Sequence, residues 1–117
     1  MSLAQTRQAI AAAASTPGLD VRAWPTVKTP RPGDGWVEAG TLAPASFGAL
    51  SAAFTVTVCL GSDAGKAEEL FDEHAPAVLD AVTKAVACAR VTLDPVALVV
   101  DQGGALHALQ LKFTTEV

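Results

Sequence analysis

Apolar and polar residues alternate most regularly between Ala53 and Leu60: Phe54, Val56, Val58 and Leu60 fall on one side, Thr55, Thr57 and Cys59 on the other. A period of two marks a strand with one apolar face, and the β-branched density from Thr55 to Val58 agrees with it. The period then changes. After the turn Gly61-Ser62-Asp63, Phe71, Ala75, Val78, Val82 and Val86 recur at steps of three or four, the apolar stripe of a helix of about two dozen residues lying on a sheet. Asp63 suits the N-cap, with Glu68 and Glu69 near the positive end of the helix dipole. Pro76 interrupts the helix without disturbing the apolar phase, which predicts a kink or two nearly collinear helices.

The remaining pattern adds sheet around this unit. Ser2-Leu3-Ala4-Gln5 is a capping box for a helix to about Ala14, with Leu3, Arg7, Ile10 and Ala14 on one face. The face is only partly greasy, which places this helix at the edge of the fold. The alanine run from Ala11 to Ala14 suits close packing, and Pro17-Gly18 ends the helix. Leu19 to Trp24 reads as a short strand. Pro25 to Gly35, with three prolines, two glycines, Lys28 and Arg31, reads as an exposed loop. Trp36 to Gly40 is a second strand and Thr41 to Gly48 a turn, so this strand and the Ala53–Leu60 strand pair as an antiparallel hairpin. Val91 and Leu93, then Val96, Leu98 and Val100, form another strand whose phase shifts at Asp94-Pro95, predicting a bulge or an edge start there. Asp101 to Gly104 is a turn. Ala105 to Val117 closes the chain, with Leu109, Leu111, Phe113, Thr115 and Val117 on one face and Gln110, Lys112, Thr114 and Glu116 on the other. The order is α-β-β-β-α-β-β: one α+β domain over residues 1–117, a mainly antiparallel sheet with an N-terminal helix and one long kinked helix packed on it.

Composition narrows the function classes. At 117 residues the chain can bury a core unaided, and with half its residues apolar and 17% charged it is neither disordered nor highly solvated. The low charge leaves surface that neighbouring copies can cover. A net charge of −4 argues against a broad nucleic-acid grip. No apolar run reaches membrane-spanning length and no secretory signal is visible, so the cytoplasm is the default compartment, where Cys59 and Cys88 are reduced thiols.

Candidate chemistry is sparse. Gly61-Ser-Asp-Ala-Gly65-Lys66 follows a strand and opens a helix, as a phosphate-cradling loop does. That loop needs four residues between its glycines and a hydroxyl after the lysine; here three intervene and Ala67 follows. His74 and His107 stand in no metal spacing with Cys, Asp or Glu, and a Cys–His nucleophile would need tertiary structure to assemble it. Glu68, Glu69, Asp72 and Glu73 form an acidic patch in which Glu69 can share a face with Asp72 or Glu73. Paired carboxylates can exchange protons, but acidic residues also suit a helix start on dipole grounds alone. The residues point to no enzyme, cofactor or metal.

Three stretches in order, Gly18-Leu-Asp-Val-Arg-Ala-Trp-Pro25 before the proline-rich loop, Phe54-Thr-Val-Thr-Val-Cys-Leu-Gly61 leading to Lys66-Ala-Glu-Glu-Leu-Phe71, and Ala108-Leu-Gln-Leu-Lys-Phe-Thr-Thr-Glu-Val117, resemble the tail terminator proteins (tail tube-capping, head–tail joining) of long-tailed bacteriophages infecting actinobacteria. The resemblance runs from Gly18 to Val117 in element order and local character, not in an invariant motif. It implies the same α+β fold and a structural role in the virion. Copies made in the host cytoplasm would assemble as a ring, six-fold in that family, on the last tail-tube ring, stop tube growth, and meet the head–tail connector, with DNA passing through unread.

A closed ring joins two different faces of one chain. The short strand around Val21, Arg22 and Trp24, the segment bearing Trp36, and the alanine face of the first helix are the candidate surfaces, with Trp24 and Trp36 as anchors because large aromatics dominate interface energies. Lys28 and Arg31, a solvated loop in a monomer, would line the lumen of a ring and face DNA. The competing readings are another neck, tail-completion or minor tail protein, and a small cytoplasmic ligand-binding domain or enzyme using the Gly61–Lys66 turn.

Overall fold

The computed structural model describes residues 2–99 and 104–117. Helix α1 (Leu3–Ala14) is followed by β1 (Asp20–Arg22), β2 (Asp34–Pro44), a short 3-10 turn (Ser46–Gly48), β3 (Leu50–Gly61), α2 (Ala64–Ala85), β4 (Ala89–Val99) and β5 (Ala105–Glu116). The fold is α+β in the expected order. The strands form one sheet in the order β1-β2-β3-β5-β4. β2, β3, β5 and β4 pair antiparallel, whereas β1 runs parallel to β2.

Apolar rows cross the sheet at right angles to the strands. Val37, Val56, Leu111 and Leu93 stand in register, and the first three are wholly buried. Phe54 and Phe113 pair beside them, ring centroids 6.1 Å apart and tilted by 34°. Both helices cover this face. The stripe on α2 is as read, with Ala75, Val78, Val82 and Val86 buried and Phe71 half-buried; Ala67 joins them.

Both caps form as read. Ser2 Oγ accepts from Gln5 N–H at 3.1 Å, while Ser2 N–H donates to Gln5 Oε1 at 2.9 Å. Asp63 Oδ1 accepts from Lys66 N–H at 3.1 Å. Pro76 neither ends nor divides α2, a single helix of 22 residues. The proline is exposed, as is Asp72, whose carbonyl loses its helical donor to the ring, so the missing bond is left to water.

Four expectations need correction. Helix α1 is not peripheral: Ile10 and Ala14 are wholly buried, Thr6 and Ala11 nearly so, because the alanines let it lie close to both α2 and the β1–β2 edge. β2 does not stop at Gly40; it continues through the expected turn to Pro44, past a register shift between Ala39 and Leu42. No bulge occurs at Asp94-Pro95, where β4 and β5 stay in register; the irregularity lies between Ala89 and Thr92, at Arg90 with its φ of 55°. The apolar phase shifts without a break in register: Leu93 stands opposite Leu111 and Val96 opposite Ala108. The fourth concerns Val21, taken up below. Val100 and most of the expected turn, 101–103, lie outside the described residues.

The two end strands each carry a feature that blunts them, although β1 covers β2 only over Asp34–Trp36. In β1 the outward N–H of Val21 donates to Ser15 Oγ at 2.9 Å, and that hydroxyl lies 2.9 Å from Ala11 O and 3.3 Å from Val21 O as acceptors. The side chain thus occupies the position of a neighbouring strand. On the other edge β4 carries Pro95, which is tolerated in a sheet where its nitrogen faces outward and offers an added strand no donor. Ser15→Ala is expected to lower stability by about 1–2 kcal/mol, the cost of an unpaired backbone group, and to raise light scattering of concentrated solutions; urea melts and static scattering check both.

Candidate functional site

The Gly61–Lys66 turn is closed to phosphate. Asp63 caps the helix twice over, its Oδ1 accepting from Lys66 N–H and its carbonyl accepting from Ala67 N–H at 2.9 Å. A bound anion would have to displace that carboxylate and then face its charge.

The histidines and cysteines are dispersed. His74, with 13% of its side chain exposed, packs over the turn after α1, where a Cβ on Gly18 would lie 3.3 Å from its Cε1. His107 is half-buried on β5 opposite Gly61. Cys59 stands opposite Ala108, whereas the strand following Cys88 meets β5 at Thr114; six residues of β5 separate those positions, roughly 20 Å at the rise of a strand. A disulfide needs Cα atoms within about 7 Å, so the thiols cannot pair. Burial pushes the Cys59 thiol up; a hydrogen bond from the Gly61 backbone opposes this and the nearby Asp34 carboxylate adds to it. Burial also raises Cys88. Neither is the low-pKa thiolate of a nucleophile. Among the described residues no group of three or more His, Cys, Asp or Glu could hold a metal ion, and no helix is long and apolar enough to cross a membrane.

Two features stand out instead. The first is a cavity of about 510 Å³ beneath the N-terminal half of α2, open to solvent and walled by Leu60, Ala64, Ala67, Phe71, Pro95 and Ala108. It exists because two helices are too few to roof five strands: α1 lies over β1 and β2, α2 over β3 and β5, and the β4 side is left thinly covered. Glu68 and Asp72 from α2 and His107 from β5 border it. These carboxylates, one helical turn apart, are the pair that the fold brings to a common space, rather than Glu69 with Asp72 or Glu73.

The second is the β2–β3 hairpin. Beyond Glu38 every residue of β2 is exposed, since neither helix reaches that far. From Ala39 to Ser62 the chain has no charged residue. Leu42 and Leu50 are 48% and 42% exposed, and Phe47 at the tip is fully exposed. Phe47 is also left-handed, with φ 58° and ψ 36°, a conformation that disfavours a bulky side chain. Sequence reasoning passed over Phe47 as part of a turn; its apolar setting without charges was the available signal.

The expected interface residues are divided between surface and core. Trp24 is 43% exposed, and the Arg7 guanidinium lies 5.8 Å from its ring centroid while donating to Ala23 O and Val37 O at 2.8 and 2.7 Å. Trp36 is half-buried, donating from Nε1 to Glu38 Oε1 at 2.6 Å. Arg22 stands in register beside Trp36 and is exposed. Val21 is the correction: its side chain is buried in the core, its backbone edge is taken by Ser15, and it presents nothing to a neighbour. Lys28 and Arg31 are exposed on the 25–33 loop, which Arg31 N–H helps to close by donating to Asp34 Oδ2 at 2.9 Å.

In comparison with known proteins, the chain matches no protein-family model and no curated protein.

Proposed function

We propose that this chain is a structural virion subunit of the tail-terminator kind. Copies close into a ring on the last ring of the tail tube, stop its growth and offer the head–tail connector a docking surface. In that ring, six-fold by resemblance, Lys28 and Arg31 face the lumen through which DNA passes. The observation that carries the reading is the exposed, uncharged hairpin ending in Phe47, supported by the exposed Trp24. An aromatic held in water at an unfavourable backbone angle adds nothing to the stability of an isolated domain, whereas in an assembly it has a partner to enter.

Phage particles assembled without this chain are expected to carry tubes of irregular, excessive length and unjoined heads, visible by negative-stain electron microscopy. Tubes of normal length without it would overturn the reading. Normal tubes with unjoined heads would move the chain to another neck or tail-completion role. The cavity under α2 favours one further reading, a ligand-binding domain, which a ligand-dependent rise in melting temperature across a metabolite set would support.

A further inference from the structure

We propose that the tip of the β2–β3 hairpin is a knob that seats Phe47 in the cavity beneath α2 of a second copy of this chain. The inference rests on the ring reading for its biological setting but is tested on the purified protein.

Knob and hole lie at opposite ends of the molecule. β3 starts at Leu50, beside the tip, and ends at Leu60 and Gly61, beside the cavity; ten residues of strand span about 33 Å of a molecule 47 Å long. A contact between opposite ends of identical chains is heterologous, the kind that closes rings or, unclosed, runs on as filaments. Tip-to-tip pairing would stop at two copies.

The two surfaces suit one another. The cavity falls within the range of about 300–1,000 Å³ found for pockets that bury small molecules, ample for an aromatic ring, and its walls are mainly apolar. Its mouth carries the carboxylates of Glu68 and Asp72. The tip brings no carboxylate to repel them, and a left-handed turn such as that at Phe47 and Gly48 offers backbone N–H groups that favour anions. A lipid surface fits less well, because the uncharged stretch from Ala39 to Ser62 has no Lys or Arg to meet anionic headgroups.

Area sets the strength. One buried aromatic contributes about 150–250 Å², well under the ~800 Å² per partner of a standard interface. The seat therefore holds weakly between two free copies. It becomes effective when ring closure, or a tube beneath, makes the contact intramolecular. A dilute monomer that associates when concentrated or templated is the expected behaviour.

The test uses the full chain with Cys88→Ser, so that the remaining native thiol is buried, with Phe47 kept and carrying both Ala45→Cys beside the tip and Ala64→Cys at the cavity. Treated at high protein concentration with a short thiol cross-linker, it is expected to give a ladder of covalent species beyond the dimer, while each single cysteine variant stops at the dimer. A double variant that also stops at the dimer, or does not cross-link, overturns the proposal. Sedimentation supplies a second readout: Phe47→Ala should leave the urea midpoint unchanged or higher and raise the concentration for self-association at least tenfold. Unchanged association, or Phe47-dependent binding of the wild-type chain to phosphatidylcholine vesicles in place of self-association, sinks it. Tube length in particles judges the ring reading separately, so failure of one leaves the other standing.

Discussion

Replacing Phe54 with alanine is expected to lower stability by about 3–5 kcal/mol, the range for deleting a large aromatic from a packed core, read as a fall in urea midpoint with an unchanged slope. The position has no means of relaxing. Phe54 is 1% exposed and lies on the central pair of strands, its ring 6.1 Å from that of Phe113. Both flanks are held in register, by Ala39 on β2 and Phe113 on β5, so neighbouring backbone cannot collapse into the void. Phe47, on the same hairpin, is the internal control. Its ring contacts only water, so truncating it removes no burial. Two phenylalanines seven positions apart thus separate the core from the exposed hairpin tip, and a comparable loss at both sites would contradict the packing described.

What the amino-acid order reveals follows from which faces are buried. β3, β5 and α2 were legible because each buries a continuous side, so burial imposes a period on the residues: Phe54, Val56 and Val58 at two, Ala75, Val78 and Val82 at the helical spacing. The capping box at Ser2 was legible because its hydrogen bonds are local. The outer half of β2 was not. With both faces exposed from Ala39 to Pro44, nothing selects an alternation, and Gly40 and Pro44 look like a turn. The burial of α1 was missed because alanine packs closely while scoring weakly as an apolar face. The parallel pairing of β1 depends on where the 25–33 loop returns the chain, which no local pattern records. The cavity was illegible for a related reason: it arises where the roof of helices fails to match the width of the sheet. Phe47 was readable only as an exception, an aromatic in a stretch otherwise suited to a turn.

The organisation narrows the ways in which copies can meet. Ser15 opposes strand addition at β1 and Pro95 at β4, whereas β2 beyond Trp36 has no strand on its outer side. Side-chain features remain: Trp24 held out beside Arg7, Trp36 with Arg22 on the outer face, and the hairpin tip with the cavity at the far end. End strands that resist pairing and a projecting apolar tip together favour directional side-chain contact over sheet extension at those strands.

Gly33→Ala is expected to cost about 2–5 kcal/mol, combining roughly 1–2 kcal/mol for a side chain at left-handed φ with about 1–3 kcal/mol for forcing packed groups apart. Gly33 ends the 25–33 loop with φ +98°, and a Cβ there would lie 2.7 Å from Gly18 O. The obstacle is backbone and cannot rotate away. The residue is also pinned on both sides: its N–H donates to Cys59 O at 2.8 Å and its carbonyl accepts from Asp20 N–H at 2.9 Å. The strain therefore reaches the start of β1 and the end of β3 together. Gly48→Ala provides the comparison, since Gly48 has φ +79° with nothing within 4 Å of the added Cβ. It should lose only the conformational part, about 1–2 kcal/mol, and the difference between the two melts isolates the clash. Loosening the Gly33 seam should also raise amide exchange at Asp20, whose N–H donates to Gly33 O at the start of the short parallel strand, while exchange at Val56 and Leu111 follows only the fall in global stability. Equal losses at Gly33 and Gly48 would mean that the loop can move away from Gly18 and that the parallel edge is not anchored there.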